Sequence, residues 1–282
     1  MIADPTMWTI ACGVGCALTW GAGDFSGGMA AKKANVFVII LISQVIGLTV
    51  LFFSAIALGE PLPSPGRLMF GGAAGIAGMF GILWLYTGLA EGRMGIVAPV
   101  SAVVTAVLPV MAALFTEGWP GGLKMLGFAV ALFAVWWLSR EDGPVASRAQ
   151  EWRRALCAGA GFGLFFILIE RASIESILWP LVTARLTAIA LMATVVFHRR
   201  RKIALAGLPL VPIVLAGLLD TAGNVLFALA AQIGRLDIAA VLGSLYPATT
   251  VLLACTVLKE RLCPRHYMGL AAALTAVVMI SM

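Results

Sequence analysis

Residues Arg140 to Arg153 read REDGPVASRAQEWR, the only sizeable polar linker in the chain, and they fall almost at the midpoint of its 282 residues. Outward from them, in both directions, the sequence is one long apolar segment after another. A helix needs about 20 mostly apolar residues to cross a bilayer. Five segments on the N-terminal side qualify, at about 7–31, 36–58, 68–90, 94–116 and 121–139. Five more follow the linker, at about 154–173, 177–197, 206–233, 236–258 and 264–282. The linker therefore separates residues 1–143 from residues 144–282, two halves of a single membrane domain. A β-barrel would need alternating strands of about ten residues, and these runs are continuous instead.

Composition agrees. Of the residues, 61% are hydrophobic and 11% charged, against about 25% charged in an ordinary soluble domain. The mean hydropathy is +1.02. A soluble globule of this length could not hide so much apolar surface. Disorder, coiled coil and a secreted disulfide scaffold are excluded on the same ground. The net charge of +6 sits in short runs without interleaved aromatics, so it reads as topology signal and no nucleic-acid partner is expected. The partners expected are a small-molecule substrate and the lipid bilayer, with the chain a monomer or a homodimer. Cys12, Cys16, Cys157, Cys255 and Cys263 have no CxxC spacing, and His198 and His266 are far apart, so no metal and no cofactor is expected.

The two halves resemble each other. A shift of 142 positions sets Gly81 on Gly223, Gly92-Arg93 on Gly234-Arg235, Ile96 on Ile238, Ala98 on Ala240 and Gly127 on Gly269; Trp20-Gly21 falls on Phe162-Gly163. An odd number of spans per repeat forces the second copy to enter the membrane upside down, the plan of many secondary transporters. The fold class expected is an all-α polytopic membrane protein with ten transmembrane helices arranged as two inverted five-helix repeats. The short connections predict that sequential helices are hairpin neighbours.

The second half carries the segment ALAAQIGRLDIAAVLGSLYPATTVLLACTVLKERL, Ala228 to Leu262, with Pro247 thirteen residues before Glu260. The first helix carries ALTWGAGDFSGG, Ala17 to Gly28. With the ten-span layout, these segments resemble the drug/metabolite transporter superfamily, most closely its ten-helix EamA-like branch. The first half departs: Glu117 is present, but Val104 stands thirteen residues before it, at the position matching Pro247, with Pro99 and Pro109 displaced around it. The resemblance implies an alternating-access carrier of small metabolites such as amino acids, or of drugs. It implies export driven by exchange or by an ion gradient such as the proton gradient. A lipid or lipid-carrier flippase on the same fold is the alternative reading, and an intramembrane enzyme is a third.

Lys and Arg sort by loop. One face takes 14, from Lys32 and Lys33 through Arg199 to Lys202 to Arg265; the other takes Arg67, Lys124, Arg171 and Arg235. The positive face is expected to be cytoplasmic. In an inner membrane of bacterial type this places both termini outside, although members of the superfamily are often drawn with both inside.

Charges deep in spans cost about 2.5–3.5 kcal/mol each at mid-bilayer, so they tend to face the bundle interior and find partners. Asp24, Arg185 and Asp220 are such residues, with Asn224 on the same helix face as Asp220. Arg185 and Asp220 reach matched depths on consecutive antiparallel helices and are expected to pair. Asp24, flanked by Gly21, Gly23, Gly27 and Gly28, is the candidate for proton coupling. Trp20, Trp84, Tyr86 and Tyr246 lie deeper than the belt residues Trp8, Trp119, Trp152 and Trp179, and are candidates to line a cavity. Pro99, Pro109 and Pro247 are candidate hinges, since proline removes a helix hydrogen bond. Enzyme motifs are missing: there is no GxxxxGK[ST] loop and no HExxH. GDFSGG around Ser26 has no histidine deep enough to serve as its base.

Overall fold

The computed structural model describes residues 5–91, 94–138, 148–198, 207–257 and 264–282. Residues 140–147 of the central linker, Glu260, Arg93 and the basic run from Arg199 to Lys202 lie outside the described residues. The regular elements among those described are all helices: α1 (Pro5–Ala31), α2 (Val36–Ala57), α3 (Pro65–Glu91), α4 (Met94–Thr116), α5 (Gly122–Leu138), α6 (Arg148–Ala172), α7 (Leu178–His198), α8 (Leu210–Ile233), α9 (Leu236–Gly243), α10 (Tyr246–Val257) and α11 (Pro264–Ser281). Within α2, α3, α6, α7 and α8 lie stretches long and apolar enough to cross a membrane. Helix α1 is as long as α3, and it carries Asp24 deep within it.

The helices start and stop where local chemistry dictates. Asn35 caps α2, its side-chain oxygen accepting the Phe37 N–H at 3.0 Å, as a short polar residue at that position should. The other end of α2 closes on Gly59 at φ +62°. There the Gly59 and Glu60 amides donate back to Ile56 and Ala55, each at 3.0 Å, which satisfies carbonyls that the helix end leaves open.

The ninth span is two helices rather than one. Helix α9 ends at Gly243 and α10 starts at Tyr246. Pro247 has no N–H to give to Gly243 and cannot continue the ladder. The chain tightens instead, Leu245 N–H bonding Leu242 O at 3.1 Å and Ala248 N–H bonding Leu245 O at 2.9 Å. All eight residues of α9 are buried.

The expectation of hairpin neighbours is corrected. Consecutive helices touch little, and the extensive contacts run between the halves. Helix α1 packs along α8 and along α9–α10, α3 packs along α6 and α7, α4 along α6, α2 along α7 and α8, and α5 along α11. Short loops tie helix ends together without forcing the bodies to pack; small residues decide where bodies approach.

This packing scheme maps onto itself when the halves are exchanged. Helix α1 takes the role of α6, α3 that of α8, α4 that of α9–α10 and α5 that of α11. The exchange holds at single residues. The Phe162 ring lies on Gly81, where an added Cβ would stand 2.7 Å from it, and the Trp20 indole lies on Gly223 in the same way. Each pair is the other shifted by 142. Gly75 rests on Ala184 and Thr187 of α7, while Gly217, its counterpart, rests on Ser43 and Ile46 of α2. Residue numbers rise together along α3 and α7 and run opposite along α1 and α8, as two oppositely inserted halves require.

Candidate functional site

Where α1, α2, α3, α4, α6, α7, α8 and α10 converge they leave a chamber of about 80 Å³. Its two walls differ. The polar wall is built by α1, α2, α7 and α8, from Asp24, Gln44, Arg185, Asp220 and Asn224. The apolar wall is built largely by α3 and α6, from Met79, Ile82, Phe162, Phe165 and Phe166. Trp20 and Tyr246 line the space between them.

Arg185 organises the polar wall. Its Nη2 meets Asp220 Oδ2 at 2.6 Å and donates to Thr221 Oγ1 at 3.3 Å, while its Nη1 donates to Gln44 Oε1 at 2.6 Å. The Arg185 side chain is 7% exposed and that of Asp220 30%. The guanidinium is thus enclosed, and the carboxylate keeps an edge toward the chamber. Asn224, one turn along α8, donates from Nδ2 to the same Asp220 oxygen at 3.3 Å. Gly47 makes room for the guanidinium; a Cβ there would stand 3.1 Å from Arg185 Nε.

Asp24 differs from Asp220. It lines the same chamber, but among the described residues its carboxylate makes no hydrogen bond and no ion pair. Glycines surround it on α1. Gly27, one turn further on, is covered by the Tyr86 hydroxyl, and Gly23 by the Asp220 backbone. The hydroxyls of Tyr246 and its neighbour Ser101 are buried, and neither makes a hydrogen bond of ordinary length.

An aromatic slab backs the chamber. Trp20 stacks on Phe166 with ring centroids 5.2 Å apart and planes 9° from parallel. Phe166 stacks in turn on Phe227 at 4.1 Å. Phe227 is fully buried, so the slab is anchored from behind while Trp20 and Phe166 present to the cavity.

Several sequence candidates sit elsewhere. Trp84 is outside the lining, packed by the α2–α3–α6–α7 core with the Arg153 guanidinium 5.9 Å from its ring centre. Tyr86 is buried behind Gly27 and also outside the lining. Pro109 is buried inside α4; that helix runs unbroken through Pro99 and Pro109, unlike the ninth span at Pro247. The side chain of Pro99 is outside the described set. Conversely, Gln44 and the ring of Phe166 were not among the site candidates. Gln44 was legible as the one strong polar residue in an otherwise apolar span. Phe166 was legible through the repeat, as the residue 142 positions after Asp24.

The loops α2–α3, α4–α5, α6–α7 and α8–α9 form one end of the molecule, and they are cross-tied. The Glu60 carboxylate accepts the Ile177 and Leu178 amides at 2.7 and 2.8 Å at the start of α7. Glu175 accepts the Ser64 amide at 2.7 Å and the Ser64 hydroxyl at 3.0 Å beside α3. Those two donors hold its carboxyl below the usual carboxylate range. Arg235 donates to the Glu117 and Gly118 carbonyls at 3.1 and 2.7 Å and pairs with Asp237 at 2.8 Å. Burial pushes the Glu117 carboxyl up.

The fold and its chamber define a class: a multi-pass helical membrane carrier built of two inverted halves around a central, partly polar cavity. The model of the EamA-like transporter family matches residues 7–140 and 154–282, one match to each half. The chain belongs to that family. A crystal structure of a protein 16% identical is similar in fold, with a TM-score of 0.77 over 97% of this chain and 98% of its own. No curated protein matches the sequence.

Proposed function

We propose that the protein is a secondary active exporter of small organic molecules that works by alternating access through the chamber between its halves. One observation carries this reading: charged and polar groups from α1, α2, α7 and α8 converge on an unfilled space in the middle of the bundle. Such groups are costly in lipid and are placed where a solute could exchange for water. The chamber is walled by helices from both halves, so a movement of one half against the other would expose it to either side. The break at Pro247 and the helices that carry Pro99 and Pro109 are the candidate hinges.

Carriage is favoured over catalysis by what the nucleophile candidate does. The Ser26 hydroxyl donates to the Ala22 carbonyl at 2.8 Å, and His198 is exposed at the far end of α7. Solute transport is favoured over lipid flipping by the enclosure of Arg185, whose guanidinium is occupied within the bundle instead of being offered to a headgroup.

The excess of Lys and Arg on the opposite face puts the cross-tied loop end outside the cell and both termini with it, in an inner membrane of bacterial type. The state described is then closed outward. Coupling falls to Asp24, the lining carboxylate without a cation partner, through proton uptake or exchange of one solute for another. The charged and titratable groups facing it are Asp220 and Arg185 from the other chain half, Tyr86 from α3 and Tyr246 from α10.

Counterflow in proteoliposomes tests the reading. Vesicles preloaded with an unlabelled candidate should accumulate the labelled one transiently, and a proton gradient should change the rate in the wild type and not in Asp24→Asn. Protein-independent flux across a broad metabolite screen would contradict carriage. Alkaline phosphatase activity of a fusion at Met282 would support the outward terminus, and fluorescence of a cytoplasmic reporter there would reverse it.

A further inference from the structure

The chamber contains three formal charges, Asp24, Asp220 and Arg185. They do not cancel. Arg185 is committed to Asp220, Gln44 and Thr221 by three bonds from its two terminal nitrogens. Asp24 remains, with no partner among the described residues. The next cation along its own helix, Lys32, is eight residues on, or about 12 Å of helix rise. When Asp24 is ionised, the space therefore holds one uncompensated negative charge beside a stacked aromatic slab.

Resting on the transport reading, we propose that the chamber is a binding site for a monovalent organic cation with a flat apolar body, its ammonium at Asp24 and its ring against Trp20 and Phe166.

Each part of the site contributes a separate selection. A carboxylate in a low-dielectric cavity attracts an ammonium far more strongly than it would in water, and the ion offsets the cost of leaving Asp24 without a partner. The faces of Trp20 and Phe166 suit a flat ring by stacking and a cation by the ring quadrupole. The opposing wall of Met79, Ile82, Phe162 and Phe165 offers nothing to a second polar end. An organic anion would meet two carboxylates and no free cation. A zwitterion would bring its ammonium to Asp24, but its own carboxylate would have to displace Asp220 or Gln44 from Arg185.

Labelled phenethylamine is the test probe, with phenylalanine and phenylacetate as ring-matched zwitterion and anion. The measurement is saturable equilibrium binding to the purified chain in nanodiscs, with size-exclusion profiles for each variant. Phenethylamine should bind, and phenylalanine and phenylacetate should compete about tenfold or more weakly. Asp24→Asn should weaken binding about tenfold or more, the scale of a lost partner in an enclosed charge pair. Asp24→Glu keeps the charge and should bind within a few-fold of wild type, so loss in Asp24→Asn cannot be blamed on folding alone. No saturable binding at millimolar phenethylamine, equal binding by Asp24→Asn, or tighter binding of phenylalanine or phenylacetate would each overturn the proposal. Counterflow of phenethylamine in proteoliposomes separates the two readings. Asp24-dependent binding without counterflow supports the cation site and contradicts the transport reading.

Discussion

The α1–α8 contact and the α3–α6 contact are the same contact made twice, and they differ in what they carry. In packing they match: Trp20 lies on Gly223 and Phe162 on Gly81. In chemistry they part. Asp24 on α1 stands where α6 has Phe166. Asp220 and Asn224 on α8 stand where α3 has Gly78 and Ile82. The α2 and α7 helices repeat the pattern, with Gln44 opposite Leu186 and Arg185 opposite Ser43 in the exchange. Every ionisable or amide residue of the polar wall thus has an apolar or small counterpart. The inverted repeat preserves the small-residue contacts that let helices slide or rock on one another. The charges are left to distinguish one wall of the chamber from the other.

The largest expected effect breaks this asymmetry at its centre. Asp220→Leu leaves the Arg185 guanidinium enclosed without its anion, and Arg185→Met leaves Asp220 without its cation. Either single change should cost about 3–5 kcal/mol of stability, read as a loss of monodisperse protein on heating. The double variant Arg185→Met with Asp220→Leu should recover most of that loss, because neither charge is stranded. Swapping the charges with Arg185→Asp and Asp220→Arg then separates the roles. Restored folding with restored transport makes the pair a clip, and restored folding with lost transport makes it part of the binding wall.

A smaller effect sharpens the symmetric side. Gly81→Ala and Gly223→Ala each push a methyl group into an aromatic ring. Overpacking of this kind costs about 1–3 kcal/mol, and the two costs should be similar because the contacts are exchange-related. A large inequality in the melting midpoints of the two variants would show that the halves do not share this packing.

These contrasts were unequally legible in the sequence. The apolar spans and the 142-residue offset are long-range patterns, and both survive in the helices; of the linker expected over Arg140 to Arg153, the part from Arg148 is the start of α6 and the rest lies outside the described residues. The Arg185–Asp220 contact could be reasoned from matched depth, since charges in lipid must find partners. Cross-half packing could not be reasoned from loop length, because a short loop fixes only two helix ends and leaves the bodies free to splay. The break in the ninth span was foreshadowed by Pro247, but Pro99 and Pro109 gave the same signal and α4 runs on through both. What differs at Pro247 is its place just beyond Gly243 and Ser244, where the chain turns. Trp84 was drawn toward the cavity by depth alone, and depth says nothing about which helix face a residue occupies.

Below these in size is the effect of the hinge. Pro247→Ala restores a backbone donor that can reach Gly243 and favours a continuous ninth span. Thermal stability should hold or rise slightly while counterflow slows several-fold. Unchanged counterflow would take the break out of the transport cycle.

The smallest effect concerns the cross-tied loop end. The carboxyl of Glu175 is held low by Ser64. A group whose folded value lies below its unfolded value adds stability above the unfolded value, about 4.3 for Glu, and loses it as pH falls through the folded one. Glu175→Gln should therefore lower the melting midpoint slightly at neutral pH, and the difference from wild type should vanish as the pH is taken below the carboxylate range. A difference that persists in acid would assign it to packing of the loop.

The central claim is that a chamber between the halves opens to each side in turn. Thiol labelling of Asn224→Cys, in a background with the five native cysteines replaced, tests it most directly. A membrane-impermeant maleimide is applied to right-side-out and to inverted vesicles, with and without phenethylamine or another solute shown to be transported. We expect labelling from both sides, with solute changing the two rates in opposite directions. Labelling from one side only under every condition, or from neither side in folded protein, would contradict alternating access through this chamber.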